Sequence, residues 1–170
     1  MSWPTLTAAN APEAVRLDDE LPVLGWKEHV RLPEWDLELR AKLDTGARSS
    51  ALHVTALEEV GRQREGNGEV VPVVRFDVVI GRKHDPEHHE VEAPVVGHKL
   101  VRDTGARSER RPVVRTRIVC GPLDTVTEIT LTDRSGMNFR MLLGRLALDG
   151  RCLVDPGTGY LATRRRRSRA

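Results

Sequence analysis

Between residues 37 and 43 apolar and polar side chains alternate strictly, Leu37, Leu39, Ala41 and Leu43 against Glu38, Arg40 and Lys42. That is the period of a β-strand with one buried face. The run ends at Asp44-Thr45-Gly46-Ala47, and Ser50-Ala51-Leu52-His53-Val54 resumes an apolar strand, so the pattern puts Asp44 in a turn between two strands. Gly46 gives that turn backbone freedom and leaves room for a second chain to approach, while the Thr45 hydroxyl can lock it. Val- and Leu-rich runs at 70–80, 91–96, 113–119 and 126–131 predict further strands. Helix is scarce: Leu146-Ala147-Leu148, behind Gly144-Arg145, predicts one short turn. The expected fold class is an all-β barrel.

As a bare string Asp-Thr-Gly is weak evidence, because Asp and Gly are ordinary turn residues. A second element changes its weight. Met141-Leu142-Leu143-Gly144-Arg145 is an apolar-apolar-Gly segment of the kind that threads behind the catalytic turn of retroviral-type aspartic peptidases. Further matching segments are Gly25-Trp26-Lys27-Glu28 with Leu32-Pro33, Ala41 through Leu52, Leu131-Thr132-Asp133-Arg134-Ser135 and Leu153-Val154-Asp155-Pro156. On these residues, which span most of the chain, the sequence resembles the bacterial retropepsin-like proteins that older usage calls ATP-dependent zinc proteases.

The resemblance implies a retropepsin-like acid-protease barrel with one lobe per chain and at most one or two short helices. It implies that Asp44 is catalytic, with Thr45 and Gly46 shaping its turn and Ala47, Leu143, Gly144 and Arg145 supporting it. One aspartate per chain implies a homodimer, because the mechanism uses two carboxylates that share one proton across a two-fold axis.

Composition fits this picture. A chain of 170 residues makes one domain, short for two pepsin-like lobes. With 4% aromatic residues the core must be aliphatic. The net charge of +2 gives the body no strong basic character, and the asymmetry lies at the end, in Arg164 to Arg167 and Arg169. Residues 1–20 mix Pro4, Asn10, Pro12 and several Ala without periodicity. They predict a disordered extension before a domain at 21–162 and a basic tail at 163–170. The start lacks a basic then apolar leader, and no run reaches the roughly 20 apolar residues of a membrane span, so a cytoplasmic protein is expected. Cys120 and Cys152 sit in apolar contexts that suit buried thiols, and neither is a good nucleophile candidate, with Cys120 beside Gly121 left open.

The hexapeptide DTGARS occurs twice, at Asp44 to Ser49 and at Asp103 to Ser108. The flanks of the second copy, His98 to Arg102 and Glu109 to Pro112, are not buried strands, so it reads as an exposed hairpin tip. Asp44 is accordingly assigned to chemistry, and Asp103 and Gly105 are kept as substrate-binding candidates.

In retroviral enzymes the Arg after the apolar-Gly element pairs with an acid four positions past the catalytic Asp, but here that position is Arg48. Two readings stay open. Arg48 and Arg145 line a subsite for acidic, Glu-rich substrates, in keeping with the family's resemblance to neighbours of ligases that add glutamate to protein tails. Alternatively Arg145 pairs with Asp133, Asp149 or Asp155.

His84, Asp85, Glu87, His88, His89 and Glu90 form a dense group of possible zinc ligands, yet there is no HExxH and Pro86 keeps His84 and His88 off one regular helix. A polar loop explains them, and no metal or other cofactor is expected. No GxxxxGK[ST] loop serves ATP. The arginine tail offers a non-catalytic alternative, a dimeric β-barrel that contacts RNA or ribosomes, but aromatics are too few for a base-stacking platform. A zinc-dependent peptidase is the other alternative.

Overall fold

The computed structural model describes residues 21–82, 84–102 and 108–163. The expected extension at 1–20, the arginine run at 164–167, and both Asp103 and Gly105 lie outside the described residues. Within them the strands are β1 (Val23–Gly25), β2 (Lys27–Leu32), β3 (Leu37–Leu43), β4 (Ser50–Arg64), β5 (Val70–Arg82), β6 (Asp85–Arg102), β7 (Ser108–Cys120), β8 (Leu123–Thr132), β9 (Met141–Leu143) and β10 (Leu153–Asp155). Helix among these residues is a 3-10 turn at Pro33–Trp35 and one short helix, α1 (Arg145–Leu148). The fold is all-β, as the alternation predicts, and the short helix stands where the apolar triplet after Gly144 puts it.

Strands β4 to β8 are successive antiparallel neighbours, and β8 returns to pair in parallel with β4 through Ser50↔Ile129 and Leu52↔Leu131. That return closes the strands into a barrel and leaves them no free edge at the join. β3 runs parallel to β9 through Leu43↔Leu143, and β9 runs antiparallel to β4 through Ala51↔Leu142. The short β9 is therefore wedged between the strand that enters the Asp44 turn and the strand that leaves it. Inward residues such as Leu43, Leu52, Ile118, Leu131 and Met141 form an aliphatic core, with Phe76 fully buried and edge-on to Trp35 at 5.7 Å.

Beyond the barrel the hairpins continue as solvated arms. β4 breaks register after Thr55, where Ala56 takes a φ of 51°, and residues 57–64 are exposed. The polar loop expected around His84 to Glu90 is mostly strand: Asp85–Glu90 opens β6 and pairs with Asp77–Arg82 of β5. Residues 85–90 are exposed apart from half-buried His89, which accounts for their polarity. Alternation sends successive side chains to opposite sides, and His88 lies 3.6 Å from Asp77 while His89 lies 3.7 Å from Glu87. Among the described residues no three His, Cys, Asp or Glu side chains are grouped so as to hold a metal ion. The flanks of the second DTGARS are likewise strand, β6 pairing with β7 through Leu100↔Arg110 and Arg102↔Ser108, and Leu100 is 71% exposed.

The C-terminal segment is tied down by one buried carboxylate. Glu28 has the same inward phase as Val30 and Leu32 on β2 and is fully buried. Its Oε1 accepts the amides of Gly25 at 2.7 Å and Ala162 at 3.0 Å, and its Oε2 accepts the Thr163 amide at 3.0 Å and the Thr163 hydroxyl. Thr163 is thereby fixed to the body. Four donors on a buried carboxylate leave no place for an amide nitrogen. Glu28→Gln is therefore expected to lower unfolding stability by about 2 kcal/mol, read as a fall in urea midpoint at constant slope. An unchanged midpoint would show that the clamp adds nothing.

Candidate active site

The alternation of β3 continues to the chemistry. Leu43 points into the core, so Lys42 and Asp44, two positions apart, share the outer face. Behind the turn, the Asp44 amide donates to the Leu143 carbonyl at 2.8 Å, the Arg145 amide to Ala47 O at 2.8 Å and the Leu146 amide to Arg48 O at 3.0 Å. The Gly144 amide donates to Ser50 Oγ at 3.2 Å, and both Ser50 and Leu143 are fully buried. The start of α1 is thus stitched to the back of the turn along its whole length. Gly144 has an ordinary φ of −93°, so it is space that selects glycine there: a Cβ would stand 2.6 Å from the backbone carbon and oxygen of Ser49.

Among the described residues Arg145 forms no ion pair with an acid. Its guanidinium donates to the carbonyls of Thr45 and Gly46, each at 3.0 Å. Of the three aspartates expected as partners, Asp133 accepts the Ser135 amide at 2.8 Å, Asp155 accepts the Gly157 amide at 2.7 Å, and Asp149 meets Arg145 through its backbone amide, which donates to the Arg145 carbonyl at 2.8 Å. Two carbonyls of the turn supply the negative end that position 48 lacks, and Arg48 is left exposed. Gly46 also differs from expectation. Among the described residues Gly68, Gly81, Gly121 and Gly150 take positive φ, and Gly46 is not with them. What it provides is closeness, since a Cβ there would lie 3.2 Å from Asp44 Oδ1.

The carboxylate itself is held at both oxygens. Oδ1 accepts the amides of Gly46 at 3.0 Å and Ala47 at 3.2 Å, and Oδ2 accepts Lys42 Nζ at 3.0 Å. The Lys42 hydrogen bond is the main influence holding the Asp44 carboxyl below its ordinary pKa; partial burial opposes it and the two amides assist. The side chain is 24% exposed, enough for water to reach it. The arrangement offers an oriented, ionised carboxylate on a rigid turn.

Of the residues singled out from sequence, Asp44, Thr45, Gly46, Ala47, Arg48, Leu143, Gly144 and Arg145 come together here. Sequence reasoning gave no role to Lys42, whose signal was its place two residues before an aspartate in a strand. It also passed over Arg134. The Arg134 amide donates to Nδ1 of buried His53 at 2.8 Å and its Nε to the Phe139 carbonyl at 3.3 Å. Burial pushes its guanidinium pKa down, Asp44 acts against that shift and Arg111 with it, which places both charges near Arg134. Lys99 of β6 reaches Ser49 Oγ, at a cavity of about 200 Å³ that Leu146 and Thr130 also line. Cys120 is fully buried, and burial pushes its thiol up to about 12, which removes it as a nucleophile.

Residues 23–165 match the family model described as RimB-like, retropepsin-like aspartic endopeptidase RimB. A protein from Parasynechococcus marenigrum (strain WH8102) named probable alpha-L-glutamate ligase is 37% identical over 139 residues, which cover 79% of this chain and 28% of that protein. One of the same name from Shewanella pealeana is 29% identical over 147 residues, 85% of this chain and 30% of the other. The chain thus spans under a third of these curated relatives. A solved structure of a Legionella pneumophila protein of unknown function (DUF785) superposes with a TM-score of 0.61 at 30% identity, over 83% of this chain and 98% of that one.

The tight seat of Gly144 yields a direct test. Gly144→Ala is expected to lose about 3 kcal/mol of stability, because the contacted atoms are backbone and cannot swing aside. Gly61→Ala, where a Cβ meets nothing within 4 Å, should stay within about 0.5 kcal/mol of wild type. Equal urea midpoints for the two variants would contradict the packing described.

Proposed function

Given that the chain belongs to the RimB-like family of retropepsin-like aspartic endopeptidases, we propose that it hydrolyses peptide or amide bonds with a water activated by the Asp44 carboxylates of two chains. The observation that carries this is the Asp44 carboxylate, fixed by the Gly46 and Ala47 amides and open to water on a turn that β9 and α1 hold from behind.

The chemistry requires a pair. One carboxylate takes a proton from water as it attacks the carbonyl carbon, and a carboxylic acid must supply one to the leaving nitrogen. A second chain provides the second group, and like charges held close keep one proton between them. Thr45 and Gly46, both exposed on the turn, form the surface that meets the partner and the substrate backbone.

The substrate in this reading is an acidic or glutamate-bearing protein segment. Lys42 is hydrogen-bonded to the carboxylate, Arg134 interacts electrostatically with it and exposed Arg48 follows on the same turn, while Arg145 is occupied in bracing that turn. The relatives named for glutamate ligation support a glutamate-containing substrate as well.

Asp44→Asn is expected to abolish cleavage of a Glu-rich peptide without lowering the melting temperature, whereas Asp103→Asn should retain most activity. Wild type should favour the Glu-rich peptide over its Gln-rich counterpart, and Arg48→Ala should shrink that preference about tenfold, the effect of losing about 1.4 kcal/mol of attraction. Full activity in Asp44→Asn would remove the reading, and an unchanged selectivity ratio in Arg48→Ala would remove the acidic-substrate part of it.

A further inference from the structure

The outer oxygen of Asp44 is already taken. Lys42 Nζ lies 3.0 Å from Oδ2, while Oδ1 accepts the amides of the turn. Among the described residues Asp44 is the hydrogen-bond and ion-pair partner of this lysine. Its cross-strand neighbour Lys27 is turned away, with its ammonium 4.5 Å from the centre of the Trp26 ring and 5.4 Å from that of Tyr160. Lys42 remains 45% exposed on a flexible stem, so its ammonium can leave the carboxylate without unpacking anything.

The remaining charges near the turn are committed differently. Arg145 on α1 is bound to the Thr45 and Gly46 carbonyls, and Lys99 on β6 to Ser49. Arg111 on β7 pairs with Glu109 at 2.7 Å, Arg48 is exposed, and Arg134, in the loop after β8, is anchored through its Nε and backbone. Lys42 is the cation in hydrogen-bond contact with the carboxylate itself.

We propose that Lys42 is a positioning residue that holds Asp44 as a free-enzyme ion pair and releases it when an acidic side chain of the substrate, beside the bond to be cut, draws the ammonium away. This rests on the reading of Asp44 as one of a catalytic pair. A dyad needs one proton between its carboxylates, and an ammonium on each favours the state with none. Lys42 therefore lowers the pH above which the free enzyme loses that proton. A bound glutamate that takes over the ammonium restores proton uptake, so an acidic substrate assembles the active protonation state and a neutral one does not.

The test compares pH profiles, because kcat/KM reports groups of the free enzyme and kcat those of the bound complex. With a Glu-rich peptide the basic limb of kcat in wild type should lie about one pH unit or more above that of kcat/KM. With the Gln-rich counterpart the two limbs should coincide. Lys42→Met should move the basic limb of kcat/KM upward for both peptides and erase the separation, and Lys42→Arg should preserve it. Coincident limbs in wild type with the Glu-rich peptide would overturn the proposal, as would an unmoved limb in a folded Lys42→Met protein. The wild-type comparison decides the matter alone if that variant fails to fold. Activity in Asp44→Asn would instead sink the catalytic reading, so the two failures are distinguishable.

Discussion

A carboxylate at the tip of a β-turn is useful only if the turn cannot relax, and here the turn is fixed by what lies behind it. β9 lies between β3 and β4, takes the Asp44 amide on the Leu143 carbonyl, and passes into α1, whose first amides bind Ala47 and Arg48. The contact is backbone against backbone, which demands Gly144, and buried Ser50 caps its amide. Arg145 then closes the turn from outside by bonding its two remaining carbonyls. The geometry of the Asp44 turn is thus a property of three strands and a four-residue helix together. The closed barrel of β4 to β8 supplies the rigid wall on which they rest.

The electrostatics of the site follow from position 48 being an arginine. An acid there would neutralise Arg145 in the way retroviral enzymes do; without one, Arg145 uses carbonyl dipoles and the region keeps its positive charge. The Lys42 hydrogen bond then holds the Asp44 pKa low, with the Gly46 and Ala47 amides assisting, and Asp44 in turn acts on the charge of Arg134. In the proposed reading, the same cations draw an acidic substrate and set the protonation state of Asp44.

Much of the fold was legible because alternation is a local property. The pattern from Leu37 to Leu43 is the buried pattern of β3, and the Val-rich runs mark the barrel segments of β5 to β8. The arms were not legible. Residues 85–90 and 98–100 are exposed, His89 alone being half-buried, so strand and loop look alike in sequence there. The turn residues and the apolar-Gly element were readable as a pair, but their partners were not. Nothing local predicts that Arg145 bonds carbonyls, that Glu28 is buried beneath the C-terminal segment, or that Arg134 lies near Asp44, because each depends on which distant strands the barrel brings together. Lys42 was readable in principle, since a shared strand face sets it beside Asp44.

The central claim is that two Asp44 residues act as one catalytic unit across two chains. Mixing wild-type and Asp44→Asn chains, with subunit exchange verified by mass spectrometry, tests it through the dependence of activity on composition. If each site needs an Asp44 from both chains, activity follows the square of the wild-type fraction, and an equal mixture retains about a quarter of full activity. A linear dependence, with about half the activity remaining in that mixture, would place a complete site within each chain and contradict the account.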